Sequence, residues 1–171
     1  ARNAYEKGLD LLLEIWKKVS VVNPDWKLKM VTTFDGYFDI QKIIQSENIQ
    51  NIEICKPHQS ISEFYTSASI YAMTSRYEGF PLVLLEAMSF GLPMISFDCP
   101  IGASLLINDM KNGILIQKFS VKEYSEAINK IKSVLRNNTQ DKANLLSGRI
   151  VFRQNVENDR TSNYLSTLQL A

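Results

Sequence analysis

A chain of 171 residues and 19.5 kDa has the length of one domain and enough apolar material for a substantial core. Hydrophobic residues at 45% and charged residues at 22% are ordinary for a globular protein, and a formal net charge of +1 gives no electrostatic reason to expect a nucleic-acid partner. No apolar run approaches the ~20 residues that cross a bilayer and no secretory leader is read at the start, so the expected localisation is cytoplasmic.

In chain order, Leu9 to Ser20 carries Leu12, Leu13, Ile15, Trp16 and Val19 at helical spacing, and Asn23-Pro24-Asp25 turns the chain into an alternating strand, Trp26 to Val31. After Phe34-Asp35-Gly36 a short helix is expected around Phe38 to Ser46, with Ile40, Ile43 and Ile44 inward. A strand follows at Asn51 to Ile54, then a loop at Pro57 and His58, a helix from about Ser60 to Ser67, and a strand at Ile70 to Met73. Pro81 is read as the first residue of a helix that stops at Gly91 and Pro93, because proline lacks only an amide that would be unpaired there. A strand at Met94 to Phe97, a short helix opening near Gly102 and ending by Ile107, and a strand at Gly113 to Ile116 come next. Ser120 and Glu123 have the spacing of a reciprocal helix cap, opening a helix to about Leu135. A further helix is expected over 141–151, and the polar tail, 152–171, is read as a terminal helix packed on the domain or toward a domain outside the chain.

Strands alternating with helices are the pattern of βαβ units on a mostly parallel sheet, so the fold class expected is α/β, Rossmann-like and three-layered. Ligands in such sheets bind beyond the carboxyl ends of the strands. Glu78 and Asp98 both follow strand ends and fall on that edge, and the loop at Pro57-His58 should reach it. His58 is the one histidine, which removes a histidine-based triad internal to the chain and most zinc sites; no metal site is expected. Cys55 and Cys99 are far apart and read as reduced thiols.

The informative stretch is Ser75-Arg-Tyr-Glu78-Gly79-Phe-Pro81-Leu-Val-Leu-Leu-Glu86-Ala-Met88-Ser-Phe-Gly91-Leu-Pro93. A helix start presents unpaired amides and the positive end of a dipole, which suits a phosphate. With Pro81 lacking a donor, Gly79, Phe80, Leu82 and Val83 must supply the amides. Two carboxylates, Glu78 and Glu86, would repel a phosphate unless they face hydroxyls. A sugar nucleotide, with a diphosphate in the middle and a diol at each end, meets that condition. Arg2 and Lys7 in a basic loop before the first helix could neutralise the diphosphate, Arg2 as a fork and Lys7 as a point charge, and Arg76 is a third candidate. Each of these charges could also be ordinary surface or structural charge, and Glu86 could form a salt bridge.

The same stretch resembles the E-x7-E motif of the retaining glycosyltransferases of family 4, group 1. Arg2-Asn-Ala-Tyr-Glu-Lys7-Gly8-Leu-Asp-Leu-Leu resembles the segment opening the nucleotide-binding half of those enzymes, and Phe97-Asp98-Cys-Pro100-Ile-Gly102-Ala-Ser104 and Asn112-Gly113-Ile-Leu-Ile116 resemble two segments that follow the motif. The resemblance implies a GT-B enzyme of two Rossmann-like domains, of which this chain is similar to the C-terminal, donor-binding half. It implies that Arg2 and Lys7 bind the diphosphate, that Glu78 meets the donor sugar near the reacting carbon, and that Glu86 holds the ribose hydroxyls. Amides of Phe80, Leu82 and Val83 would meet sugar and phosphates, and His58 would border the base. The donor would be a UDP-sugar or GDP-sugar, with no further cofactor and no required metal. The partners implied are the N-terminal acceptor domain and a glycan or lipid-linked acceptor, as in polysaccharide or lipopolysaccharide synthesis, with peripheral membrane association open for the full-length protein. The sequence departs from the family where Met30-Val-Thr-Thr-Phe-Asp-Gly36 replaces a Gly-x-Gly-like turn and where Leu105 stands for a common Glu. An epimerase-like nucleotide-sugar enzyme and a noncatalytic interaction domain remain alternatives.

Overall fold

Six parallel strands form the middle of the computed structural model, which describes residues 3–33, 36–56, 61–100, 102–117, 119–137 and 149–153. After a single 3-10 turn, Tyr5–Lys7, the elements run α1 (Leu9–Val22), β1 (Lys27–Val31), α2 (Ile40–Ser46), β2 (Ile52–Cys55), α3 (Ser62–Thr66), β3 (Ile70–Met73) and α4 (Leu82–Ser89). They continue with β4 (Met94–Phe97), α5 (Ala103–Leu106), β5 (Gly113–Ile116), α6 (Val121–Asn137) and β6 (Arg149–Arg153). The α/β, three-layer expectation is the architecture observed.

Why the layers form follows from the strand period. Ile70 and Ala72 of β3, with Ile95 and Phe97 of β4, join Leu9, Leu13, Trp16, Ile128 and Ile131 of α1 and α6 in one buried cluster. Their neighbours Tyr71, Met73 and Met94 point the other way, into a second cluster with Tyr65 of α3, Val83, Leu84 and Ala87 of α4, and Ala103 of α5. Both faces of the central strands are therefore covered, and every residue of β3 and β4 is buried, as an all-parallel sheet requires. Two of the polar groups carried inside are paired with backbone: the Trp16 indole donates to the Gln50 carbonyl at 2.8 Å, and the Tyr124 hydroxyl donates to the carbonyls of Ile95 at 2.7 Å and Met73 at 3.1 Å, whereas Trp26 Nε1 and Asn3 Oδ1 are buried with no hydrogen-bond partner among the described residues. The Glu123 amide donates to Ser120 Oγ at 3.2 Å, the half of the expected cap that secures the start of α6.

One element corrects the sequence reading. Residues 149–151 are not the end of a helix over 141–151 but the start of β6, which lies between β1 and β3 in the order β2-β1-β6-β3-β4-β5. It pairs in parallel with β1 from Lys27↔Arg149 to Val31↔Arg153 and with β3 at Ile70↔Ile150 and Tyr71↔Val151. Isoleucine, valine and phenylalanine in sequence favour a strand, and hydrogen bonding on both edges decides the matter. Residues 152 and 153 of the expected terminal helix belong to the same strand, while 154–171 lie outside the described residues.

The sheet grows outward in both directions from β6, through β1 to β2 on one side and through β3 and β4 to β5 on the other. Such a reversal opens a crevice at the carboxyl ends of the strands beside it. The segment 3–8 crosses that edge. Asn3 forms a parallel bridge with Gly36 beyond β1 and Gly8 lies against Thr74 beyond β3, so this strap spans the reversal.

Candidate functional site

The strap is held at both ends by backbone contacts that tolerate little change. At its start the Tyr37 amide donates to the Asn3 carbonyl at 2.6 Å, and the Asn3 side-chain amide donates to the Phe38 carbonyl. At its end Gly8 has φ of 63°, and a Cβ there would lie 2.0 Å from the Thr74 carbonyl oxygen, so only glycine lets α1 start this close to the end of β3. Between those anchors the Arg76 amide donates to the Glu6 carbonyl at 2.7 Å, joining the strap to the loop that follows β3.

That junction brings Lys7 to Glu78. The ammonium lies 2.9 Å from both carboxylate oxygens, and Ser75 Oγ donates to Glu78 Oε1 at 2.6 Å. The two side chains are 21% and 11% exposed, so the pair is sheltered yet reachable from the sheet edge. A charge pair with that exposure offers an anion a cation and a hydroxylated ligand an acceptor within one small volume.

Beside it, the start of α4 differs from expectation. Pro81 is the residue before the helix, not its first, with φ of −82° and ψ of 77°. Those angles are those of an inverse γ-turn, and the Leu82 amide accordingly donates to the Phe80 carbonyl at 3.0 Å. Of the four amides the sequence reading offers to a phosphate, that of Leu82 is taken up by this turn. Gly79 and Phe80 are exposed, Leu82 is half-buried and Val83 is buried. Pro81 is buried against Gly102, where a Cβ would lie 2.3 Å from the proline Cδ; the loop after β4 thus backs the start of α4.

Glu86, one turn along α4, is half-buried and accepts a hydrogen bond from the Tyr65 hydroxyl at 2.6 Å. Tyr65 is itself buried, stacked on Phe90 with ring centroids 5.2 Å apart. The carboxylate is therefore oriented toward α3, the helix that follows the 57–60 segment. Arg2 and His58 lie outside the described residues, so of the expected ligand contacts Lys7, Glu78, Phe80, Leu82, Val83 and Glu86 can be placed.

Arg76, a candidate anion contact from the sequence, is instead paired with a carboxylate. Its guanidinium forks onto Asp10, Nη1 to Oδ1 at 2.8 Å and Nη2 to Oδ2 at 2.5 Å, while Nη1 also donates to the Tyr5 carbonyl at 2.9 Å. Burial pushes the Asp10 carboxyl up, but the hydrogen bonds and charge of Arg76 outweigh this and hold it below its ordinary value. Sequence reasoning missed Asp10, Tyr65 and Ser75. Only Ser75, three residues before Glu78, had a local signal. Among the described residues no group of three or more histidine, cysteine, aspartate or glutamate side chains is placed to hold a metal ion, and no helix is long and apolar enough to cross a membrane. A cavity of about 390 Å³ lies elsewhere, at the amino-terminal ends of β4 and β5 between Met88, Met94, Met110 and Ile131.

Residues 1–157 match the family model described as glycosyl transferases group 1. An uncharacterized glycosyltransferase of Haemophilus influenzae is 32% identical over 148 residues, 82% of this chain and 41% of the relative. The amylovoran biosynthesis glycosyltransferase AmsD of Erwinia amylovora is 36% identical over 131 residues, 76% of this chain and 36% of that protein. The chain thus spans about two fifths of the length of these curated relatives. Among solved structures, the pneumococcal O-GlcNAc transferase GtfA in complex with UDP and GlcNAc superposes with a TM-score of 0.66 at 28% identity, covering 85% of this chain and 30% of the other. The structure of TarM shares the fold, with a TM-score of 0.73 at 23% identity over 99% of this chain and 33% of that one.

Proposed function

The chain belongs to the glycosyl transferases group 1 family, and from that membership we propose that it is the C-terminal, donor-binding domain of a retaining GT-B enzyme. It binds a nucleoside diphosphate sugar for transfer to a glycan or lipid-linked acceptor. The observation that carries the reading is the meeting of Lys7 and Glu78, 71 positions apart, on the carboxyl edge of a parallel sheet at its reversal.

In this reading the diphosphate lies against Lys7 and the exposed turn at Gly79 and Phe80, with the Val83 amide behind it. Rupture of the bond between the anomeric carbon and the diphosphate oxygen puts negative charge on the leaving nucleotide, and the ammonium of Lys7 stabilises it. Arg2, adjacent to the strap, adds a second cation. Glu78, relieved of part of its contact with Lys7 by the incoming diphosphate, turns to the hydroxyls of the donor sugar. Glu86, steadied by Tyr65, takes the ribose diol, and His58 borders the base. The acceptor is brought by a second domain outside this chain.

The pneumococcal relative was solved with UDP, which makes UDP the first nucleotide to test and GDP the second. Isothermal titration of UDP, GDP and ADP into the folded chain, followed by sugar conjugates of the best binder, is expected to give saturable binding of one uridine or guanosine nucleotide without added metal. Folded protein that binds neither UDP nor GDP would refute the assignment.

A further inference from the structure

Arg76 sits next to the site and touches the strap at Tyr5 and Glu6, between its two anchored ends. Its guanidinium grips Asp10 in the first turn of α1 and the carbonyl of Tyr5, and lies 4.2 Å from the centre of the Tyr5 ring. Its backbone amide holds the Glu6 carbonyl. Lys7, the next residue, is the one whose ammonium reaches Glu78, and Thr74 Oγ1 donates to the Lys7 carbonyl at 3.4 Å. Residues on both sides of Lys7 are thus tied to one side chain, while the Arg76 side chain is only 18% exposed.

We propose that Arg76, through its fork onto Asp10 and Tyr5, is a positioning residue that fixes Lys7 at the diphosphate site without contacting the nucleotide. The inference rests on the donor-binding reading of the site. A guanidinium with both terminal nitrogens committed to one carboxylate cannot present that same fork to a phosphate, and the planar fork fixes distance and direction together. Lys7 is a flexible point charge, so its usefulness to an anion depends on where its backbone is held. Asp10 is the first-turn acid of α1, favourably placed near that helix start, so the clamp is anchored on a rigid element.

The test is a double-mutant cycle on UDP affinity, measured by calorimetry on the full 171-residue chain, with circular dichroism confirming the fold of each variant. Arg76→Gln and Asp10→Asn should each weaken UDP by about 5- to 20-fold, and Arg76→Lys, which keeps charge but loses the fork, by an intermediate factor. In a Lys7→Met background, Arg76→Gln should weaken UDP by less than about twofold further, because its effect runs through Lys7. A full-size loss in that background would mean direct contact with the nucleotide and overturn the proposal. So would unchanged affinity in Arg76→Gln and Asp10→Asn alongside a clear loss in Lys7→Met, an outcome that leaves the donor-binding reading standing. If the unmodified chain binds no UDP or GDP, both fall. Should Arg76→Gln fail to fold, Asp10→Asn alone and combined with Lys7→Met gives the same comparison.

Discussion

The ammonium of Lys7 lies 2.9 Å from both carboxylate oxygens of Glu78, so the cation meant for a diphosphate is already shared with a carboxylate. An arriving phosphate must compete with Glu78 for Lys7, which makes the two residues respond in opposite directions to neutralisation. Lys7→Met leaves the Glu78 charge beside the phosphate and should weaken UDP by about tenfold or more, roughly 1.4 kcal/mol. Glu78→Gln releases Lys7 and should tighten UDP by about two- to fivefold while weakening a UDP-sugar relative to UDP. Calorimetry with UDP and its sugar conjugate reads both; a parallel loss of UDP in the two variants would contradict the competition.

The closeness of the strap to β3 depends on Gly8. Alanine there would have to hold φ near 63° and clear the Thr74 carbonyl, and the backbone cannot yield cheaply on either side. Gly8→Ala is expected to cost about 1 to 3 kcal/mol or more in urea unfolding. Gly79, whose added Cβ meets nothing within 4 Å, is the control, with Gly79→Ala changing stability by under about 0.5 kcal/mol. Equal effects at the two positions would mean the close approach at Gly8 is not what limits substitution.

Glu86 and Tyr65 separate the ribose end of the ligand from its phosphate end. Removing the hydroxyl that donates at 2.6 Å, as in Tyr65→Phe, loosens the carboxylate without changing the buried ring. UDP affinity should fall by about three- to tenfold in Tyr65→Phe and further in Glu86→Gln, with inorganic pyrophosphate affinity unchanged in both. A matching loss for pyrophosphate would place Glu86 at the phosphates.

β6 carries a prediction of its own because it is hydrogen-bonded along both edges. Val151 pairs with Lys29 of β1 and with Tyr71 of β3. A proline there deletes a ladder amide in the middle of the sheet and should cost about 3 kcal/mol or more, seen as a large drop in the melting temperature. A small effect would show that the strand contributes little to the sheet.

The same strand marks where local sequence stops being informative. Ile70–Met73, Met94–Phe97 and Gly113–Ile116 were legible to the residue because each is a short apolar run bounded by turn signals, the first two buried throughout and the third half-buried at the sheet edge. Arg149–Arg153 is an equally short run, but it follows a stretch with helical character, and only pairing with β1 and β3, both more than 70 positions earlier, makes it a strand. The site divides similarly. Glu78, Glu86 and Lys7 stand out by residue type and setting, whereas the forks from Arg76 to Asp10 and from Lys7 to Glu78 span 66 and 71 positions and exist only in the folded chain. Pro81 was misplaced by one residue because its preference for φ near −65° serves an inverse γ-turn as well as a first helical position.

The Asp10–Arg76 clamp should also be visible in the acid limb of stability. Burial raises the Asp10 carboxyl, but Arg76 lowers it more, so in the folded chain it titrates below its ordinary value of 3.8. A carboxyl depressed on folding stabilises the fold at pH values above its unfolded value, and that contribution disappears as pH falls through the folded value. The urea midpoint of the wild-type chain should therefore drop more steeply than that of Asp10→Asn below about pH 4, the two curves converging as pH falls through the folded value. Above pH 5 the difference between them should be constant, since Asp10 is ionised throughout in both folded and unfolded chains. Because Asp10 is 38% exposed, added salt should shrink that constant difference. Parallel acid limbs for the two proteins would mean that the fork onto Arg76 does not favour the ionised carboxylate, and that the strap is held by its backbone contacts alone.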